Sequence, residues 1–148
     1  MFKKLCSFIV GFFKKTNRRV VAFVGKSGTG KSYRAQPVAK KVRAEFIIDD
    51  GLLISGDNIV AGHSAKKEDT FLAAIRVCLF EDKKHRDEVS KILEEKKNKR
   101  VLVLGTSERM IHKIITRLSL PAPYKIIRIE DVATKEDIKE AQRQRLIE

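Results

Sequence analysis

The fold of this chain is dictated above all by residues 19–32, in which an apolar run leads directly into a glycine-rich loop, RVVAFVGKSGTGKS. The uninterrupted apolar residues 20–24 predict a buried β-strand. The loop that follows fits the pattern G-x-x-x-x-G-K-[ST], whose fixed positions here are Gly25, Gly30, Lys31 and Ser32. Because a helix-competent segment, YRAQPVAKKV, comes next, the pattern has the strand before it and the helix after it that a phosphate-binding loop requires.

Each residue type in this loop has a chemical reason. Glycines let the backbone adopt positive φ and approach a ligand closely, so that successive N–H groups can converge on phosphate oxygens. The positive end of the helix dipole adds to the same spot. Lys31 is suited to bridge the β- and γ-phosphates, and the Ser32 hydroxyl is suited to ligate Mg²⁺. We assign phosphate binding to the whole segment, Gly25, Lys26, Ser27, Gly28, Thr29, Gly30, Lys31 and Ser32.

Residues 19–32 resemble the Walker A segment of the P-loop NTPases. The resemblance implies an α/β fold, a three-layer sandwich with a mostly parallel sheet between helices and with P-loop NTPase topology. It also implies binding of ATP together with Mg²⁺. We therefore expect a P-loop nucleotide-binding domain over residues 19–148, preceded by a leader helix over residues 1–18.

Two carboxylates end the next predicted strand. The segment EFIIDD, residues 45–50, predicts a strand that finishes with Asp49 and Asp50. The spacing from Lys31 leaves room for one crossover helix, and parallel strands in such a unit bring their carboxyl ends to one edge of the sheet. We therefore expect both acids to face the phosphate site, where one would hold the metal and the other would take a proton from an attacking hydroxyl. A compatible alternative is that Asp50 and Gly51 form only a tight turn, since Asp-Gly favours hairpins.

A narrower resemblance covers residues 25–50. The combination of SGTGKS with a strand-ending pair of aspartates is similar to the HPr kinase and ATP-dependent phosphoenolpyruvate carboxykinase group, and to small kinases of the shikimate and adenylate kinase type. It implies Mg²⁺-dependent phosphoryl transfer or ATP hydrolysis, in which Asp49 and Asp50 serve metal binding and catalysis. Together with the roles of the loop residues, we expect Lys31, Asp49 and Asp50 in catalysis and Ser32, Asp49 and Asp50 on the metal. The chain is too short for a carboxykinase and carries no separate substrate signature, so the phosphoryl acceptor is not identified.

The rest of the chain alternates between predicted strands and helices. We expect a hairpin over residues 52–65, strands at 100–107 and 124–130, and helices at 69–80, 83–97, 108–118 and 135–147. The strand at 100–107 ends in Gly-Thr-Ser rather than in an acid. This ending shifts the metal role in our interpretation onto Asp49 and Asp50.

Several polar side chains outside the loop have both a functional and a structural interpretation. His63 could contact phosphate, but a histidine in a polar loop is more often solvated surface. Arg76 and Arg86 could stabilise transferring charge, although ordinary ion pairing is the commoner role. Thr106 or Ser107 could contact the γ-phosphate, and the alternative is that one of them caps the helix that follows.

Almost half of the net charge of +13 lies at the amino terminus, where residues 1–19 hold six basic side chains and no acid. Apolar residues recur at helical spacing between these lysines, so residues 1–18 predict a basic amphipathic helix. Such a helix could bind to the surface of a membrane that contains acidic lipids, or it could pack against its own domain or against a partner. Its uncharged run of nine residues is too short to span a bilayer.

The cysteine content and the motifs of the chain limit the expected cellular compartment and the classes of binding partner. Cys6 and Cys78 lie far apart without C-x-x-C spacing, which indicates a reducing compartment and argues against zinc. We expect a cytoplasmic protein whose leader could contact a membrane surface. Nucleic acid is not expected, because few aromatic residues lie among the basic ones and no nucleic-acid motif is present. The alternative function is a nucleotide-gated binding module that docks to a membrane or a protein partner through residues 1–18.

Overall fold

The computed structural model describes residues 17–147, and within that range the chain forms six strands and five α-helices. The strands are β1 (Val20–Val24), β2 (Phe46–Asp49), β3 (Leu52–Ser55), β4 (Asn58–Gly62), β5 (Val101–Gly105) and β6 (Lys125–Arg128). The helices are α1 (Lys31–Val42), α2 (Phe71–Cys78), α3 (Lys83–Glu95), α4 (Glu108–Arg117) and α5 (Lys135–Ile147). The leader helix predicted for residues 1–18 lies outside the described residues, apart from its last two positions.

All six strands form one sheet in the order β4-β3-β2-β5-β1-β6. β2, β5, β1 and β6 pair in parallel, and the hairpin of β3 and β4 extends the sheet in antiparallel fashion beyond β2. The prediction of an α/β fold with a mostly parallel sheet is therefore confirmed. The register of β1 with β5 runs from Val20 opposite Val101 to Val24 opposite Gly105, so the glycine loop starts beside the end of β5.

Alternation along β1 divides the core between the two faces of the sheet. Val20, Ala22 and Val24 belong to a buried cluster that includes side chains of α3 and α4. Val21 and Phe23 belong to a second cluster on the opposite face, built mainly with α1. Because helices cover both faces, the fold has three layers and β1 is buried throughout, which explains its unbroken apolar sequence.

Side-chain caps fix where several helices begin. Ser107 Oγ accepts a hydrogen bond of 3.1 Å from the backbone N–H of Met110, so the capping interpretation of Ser107 is confirmed. Thr134 and Asp137 form a reciprocal pair at the start of α5, with each side chain accepting a 3.1 Å bond from the other residue's N–H. This reciprocal arrangement is a capping box, which fixes the start of α5.

Helix α1 continues through a proline. Pro37 lies in the middle of its twelve residues, where the missing N–H removes one hydrogen bond of the helix. The helix ends where Arg43 takes a left-handed conformation at φ 59°, and Ala44 N–H then bonds to Ala39 O at 2.8 Å. Phosphate binding by a helix needs only its first turn, which precedes the proline.

Across residues 17–147 the structure contains no helix with the length and apolar character needed to cross a bilayer.

Candidate functional site

The glycine-rich loop joins β1 to α1 with two left-handed turns of the backbone. Gly28 has φ 77° and Gly30 has φ 95°, conformations that residues with a Cβ rarely adopt. Gly30 is also the N-cap of α1, and no side chain caps this helix end. The first amides of α1 therefore lack a side-chain oxygen and can receive an anion.

The base of the loop is held firmly in place. Gly25 N–H donates to Gly105 O at 3.2 Å, which continues the pairing of β1 with β5 into the loop. A Cβ at Gly25 would lie 2.7 Å from Cγ2 of the fully buried Ile129, so only glycine fits there. Thr29 is buried, and its hydroxyl donates to Lys26 O at 2.6 Å. The loop is thus a preorganised turn rather than an open coil.

Lys31 folds back onto the loop that precedes it. Its Nζ donates a hydrogen bond of 3.0 Å to Lys26 O. Burial lowers the pKa of this ammonium, and Asp49 opposes that shift while Arg145 adds to it. The charge therefore lies over the loop, held by a single neutral carbonyl that a phosphate oxygen could replace.

Asp49 and Ser32 meet beside Lys31. The Ser32 hydroxyl, in the first turn of α1, donates to Oδ2 of Asp49 at the end of β2, with an oxygen–oxygen distance of 2.7 Å. Burial is the main cause that raises the pKa of Asp49; the nearby Asp50 raises it further, whereas the Ser32 hydrogen bond lowers it. A hydroxyl and a carboxylate converging in this way are oxygen ligands suited to Mg²⁺.

Asp50 is held by a different set of contacts. With φ 56° at Asp50 and 85° at Gly51, the two residues form the turn between β2 and β3, in which Asp49 pairs with Leu52. The turn interpretation of Asp50-Gly51 is therefore confirmed. The Asp50 carboxylate accepts bonds from Ser64 Oγ at 2.6 Å and from Cys78 Sγ at 3.6 Å. Its catalytic and metal-binding roles stay predictions.

The thiol of Cys78 has low nucleophilic reactivity in this environment. Burial, followed by the charge and the hydrogen bond of Asp50, raises the pKa of the thiol to about 12. The thiolate, which is the nucleophilic form, is therefore disfavoured at neutral pH.

A histidine that sequence reasoning missed supports the turn of Asp50 and Gly51. His85 is 2% exposed, and its Nε2 lies 2.7 Å from Gly51 O. Its ring stacks on Phe80, with centroids 4.7 Å apart, and lies 4.2 Å from the ring of His63. The signal in the sequence was its spacing, because His85 stands four residues before the buried Val89 on the inward face of α3.

Helix α5 supplies a second element that the sequence did not reveal. Arg145 Nη1 is hydrogen bonded to the Ser27 hydroxyl in the loop. Its Cδ lies 2.7 Å from the position that a Cβ on Gly28 would occupy. The two residues are 118 positions apart, and no local pattern links them.

The other polar candidates have structural partners. Arg76 pairs with Glu81 at 3.7 Å, as ordinary ion pairing predicts. Arg86 instead donates to the carbonyls of Phe80 and Glu81. Thr106 is exposed at the end of β5, where its hydroxyl lies 3.4 Å from Met110 Sδ.

Protein ligands for a metal are few at this site. Within residues 17–147 there is no group of three or more His, Cys, Asp or Glu side chains arranged to hold an ion. Mg²⁺ commonly takes one or two carboxylates together with waters and phosphate oxygens, so Ser32 and Asp49 fit it better than they fit an ion that needs a complete protein cage.

Comparison of this chain with protein-family models, with curated proteins and with solved structures finds no match. The chemistry of the site has to be inferred from its own residues.

Proposed function

We propose that this chain binds ATP with Mg²⁺ in the loop of residues 25–32 and acts as a small kinase-like phosphoryl transferase or as an ATPase. The observation that carries the proposal is the 2.7 Å hydrogen bond between Ser32 Oγ and Asp49 Oδ2. It joins two Mg²⁺-compatible oxygens next to a loop with uncapped amides and a lysine. Each of these groups favours a chain of phosphate oxygens carrying a divalent ion.

The residues divide the work by their chemistry. The backbone amides of the loop and of the first turn of α1 would bind the phosphates. Lys31 would exchange the Lys26 carbonyl for phosphate oxygens and balance their negative charge. Ser32 and Asp49 would hold Mg²⁺, which supplies charge neutralisation at the β- and γ-phosphates when bound. All of these groups lie at the same edge of the sheet, where β1 and β2 end.

Asp50 is the candidate for the proton-accepting role. Its carboxylate lies next to Asp49 but already accepts bonds from Ser64 and Cys78. It would accept a proton from an acceptor hydroxyl or a water by giving up one of these bonds. Metal binding therefore goes to Asp49 in this proposal, with Asp50 as the group that orients the nucleophile.

The order of the parallel strands supports the same assignment. β1, which carries the loop, lies inside the sheet, and β5 separates it from β2. The carboxyl ends of all three strands share one edge, where ligands bind in open parallel sheets. β5 ends at Gly105 and is followed by Thr106 and Ser107 without an acid, so β2 is the one of these three strands that ends in carboxylates.

Isothermal titration calorimetry tests the proposal with ATP, ADP and GTP, each with and without Mg²⁺. We expect Mg²⁺-dependent binding of ATP, with Lys31→Ala weakening it about tenfold or more. Lys40→Ala, an exposed lysine in the last turn of the same helix, is the matched control and should bind as the parent does. If no nucleotide binds, or if Lys31→Ala binds as tightly as the parent, the proposal is wrong.

Release of phosphate separates the two reactions. An ATPase would release free phosphate from ATP alone, whereas a kinase would transfer it only when a cell extract supplies an acceptor. Radiolabelled ATP distinguishes the two outcomes, because the label appears either as inorganic phosphate or on a new product.

A second candidate is the nucleotide-gated binding module. The observation that favours it is the leader of residues 1–18, in which five basic side chains accompany an apolar run without any acid. Co-sedimentation with vesicles containing phosphatidylserine, with and without MgATP, compares the full chain with one that lacks residues 1–18. If vesicle binding is absent or does not depend on these residues, the membrane version of this candidate fails.

A further inference from the structure

Helix α5 crosses the front of the phosphate loop. Arg34 of α1 anchors it through an ion pair with Asp137 at 3.3 Å, and holds the segment just before it through a hydrogen bond to Val132 O at 3.2 Å. Ile138 packs against the core cluster that includes Phe23 and Val38. Further along the helix, Ala141 Cβ lies 3.6 Å from the position of a Cβ on Gly30. The next turn of α5 therefore reaches the loop itself.

Arg145 is the residue that this turn brings onto the loop. Its aliphatic chain lies against Gly28, and the atom Nη1 is 3.0 Å from where a Gly28 Cβ would be. The guanidinium is hydrogen bonded to the Ser27 hydroxyl. Gly28 thus has a second reason to be glycine, because a side chain there would displace Arg145.

The charge around Arg145 is unbalanced. Within residues 17–147 it has no acidic partner within 4.0 Å, whereas Arg143, two residues earlier in the same helix, pairs with Glu140 at 2.9 Å. The hydroxyl of Ser27 is neutral, and Arg145 lies close enough to Lys31 to help lower the pKa of its ammonium. Two cations beside uncapped amides are complementary to a group with several negative charges.

We propose that Arg145 is a phosphate-binding residue, and that its guanidinium exchanges the Ser27 hydroxyl for oxygens of a polyphosphate bound in the loop. The inference rests on the proposed nucleotide-binding function and adds a residue from α5 to that site. A planar guanidinium matches phosphate oxygens in a bidentate manner and forms charge-assisted bonds that are stronger than its bond to a neutral hydroxyl. Binding would then hold α5 against the loop.

Titration calorimetry with MgATP and with inorganic triphosphate tests this inference on the full chain. We expect Arg145→Ala to weaken both ligands by a similar factor, about tenfold or more, because the contact is to phosphate and not to the base. Arg145→Lys should keep part of the affinity and Arg145→Gln should lose more of it. Arg143→Ala is the matched control on α5 and should leave both affinities unchanged.

The outcomes separate the two proposals. If the parent binds ATP and Lys31→Ala weakens it, but Arg145→Ala binds as tightly or more tightly, the inference fails while the nucleotide site stands. Tighter binding would mean that Arg145 obstructs the loop. If the parent binds neither ATP nor inorganic triphosphate, both proposals are wrong. Circular dichroism and the thermal midpoint of each variant check that α5 still forms, and the Lys and Gln variants supply the comparison should Arg145→Ala lose it.

Discussion

Asp49 accepts a hydrogen bond of 2.7 Å from Ser32, although the two residues belong to different elements and lie 17 positions apart. Ser32 is in the first turn of α1, and Asp49 is the last residue of β2. The contact forms because α1 returns the chain to the sheet so that β2 ends at the edge where α1 begins. In this way two residues from different elements become neighbours, as the proposed Mg²⁺ site requires.

Weakening either ligand of this pair should reduce the affinity that Mg²⁺ adds to ATP binding. Without Mg²⁺, we expect Asp49→Asn and Ser32→Ala to bind ATP about as the parent does. With Mg²⁺, each variant should bind ATP about tenfold or more weakly than the parent, a loss of about 1.4 kcal/mol of binding free energy. Calorimetry with and without the ion measures this difference. Asp57→Asn, an exposed acid at the tip of the β3–β4 hairpin, is the control. An unchanged Mg²⁺ dependence in Asp49→Asn would contradict the assignment.

Gly25→Ala should destabilise the fold through a specific collision. The new Cβ would meet Ile129 at 2.7 and 2.9 Å, and Ile129 is fully buried and cannot move freely. We expect a loss of roughly 1–3 kcal/mol in the free energy of unfolding, the usual cost of overpacking. Urea unfolding followed by circular dichroism gives this value.

Gly56→Ala separates steric overlap from backbone strain. Gly56 has φ 59° in an open turn, with no atom within 4 Å of the added methyl. Its loss should be close to that of a left-handed alanine alone, about 1 kcal/mol. If Gly25→Ala were as stable as the parent, the tight packing of the loop base against Ile129 would be wrong.

Pro37→Ala should make the protein more stable. The proline lies inside α1 and is exposed, so its replacement restores a helix hydrogen bond to Tyr33 O without filling space in the core. We expect a gain of roughly 1–3 kcal/mol in the free energy of unfolding. Lys41→Ala, in the same helix, controls for a general effect of alanine. A higher urea midpoint for Pro37→Ala only is the supporting result, and equal midpoints would contradict it.

His85 should make stability depend on pH below about 6.5, the ordinary pKa of a free imidazole. Burial lowers its pKa in the folded chain, with His63 adding to the shift and the Gly51 carbonyl, Glu88 and Asp82 opposing it. The unfolded chain therefore binds a proton at a higher pH than the folded chain does. This contribution to stability is fully present above the unfolded pKa and is lost as pH falls towards the folded pKa.

The measurement compares the free energy of unfolding of the parent and of His85→Gln in urea at about pH 7.5 and about pH 5.5, roughly one unit on each side of the imidazole pKa. Glutamine keeps a donor for Gly51 O but does not titrate. The variant should be less stable at the higher pH, because it loses the ring that stacks on Phe80, yet it should lose less stability on acidification. Parallel pH profiles for the two chains would rule out this role for His85.

The helices and strands could be predicted from local residue patterns, because each segment's own pattern favours the structure that it adopts in the fold. The strand predicted at residues 20–24 is β1, and each later helix and strand lies within a few residues of its predicted range. Caps at Ser107 and Thr134 mark helix starts in the sequence itself. The order of the strands could not be predicted in the same way, since the placement of β5 between β2 and β1 depends on packing across the whole sheet.

At the candidate site, sequence reasoning reached the residues that are close along the chain or that follow a parallel strand. It predicted that the carboxylates and the loop share an edge, and the contact of Ser32 with Asp49 agrees with that expectation. It did not predict that Asp50 would turn to Ser64 and Cys78, because those partners come from two later segments. The contact of Arg145 with Ser27 could not be predicted either, because it depends on the docking of α5 against α1.

The burial of β1 on both faces and between two paired strands has a consequence for how the molecule moves. Its amide protons can exchange with solvent only when the sheet itself opens, whereas helices anchored by a few exposed side chains can detach at lower cost. The strand that carries the glycine loop therefore stays in place, and any rearrangement that accompanies ligand binding has to occur in the segments that pack against it.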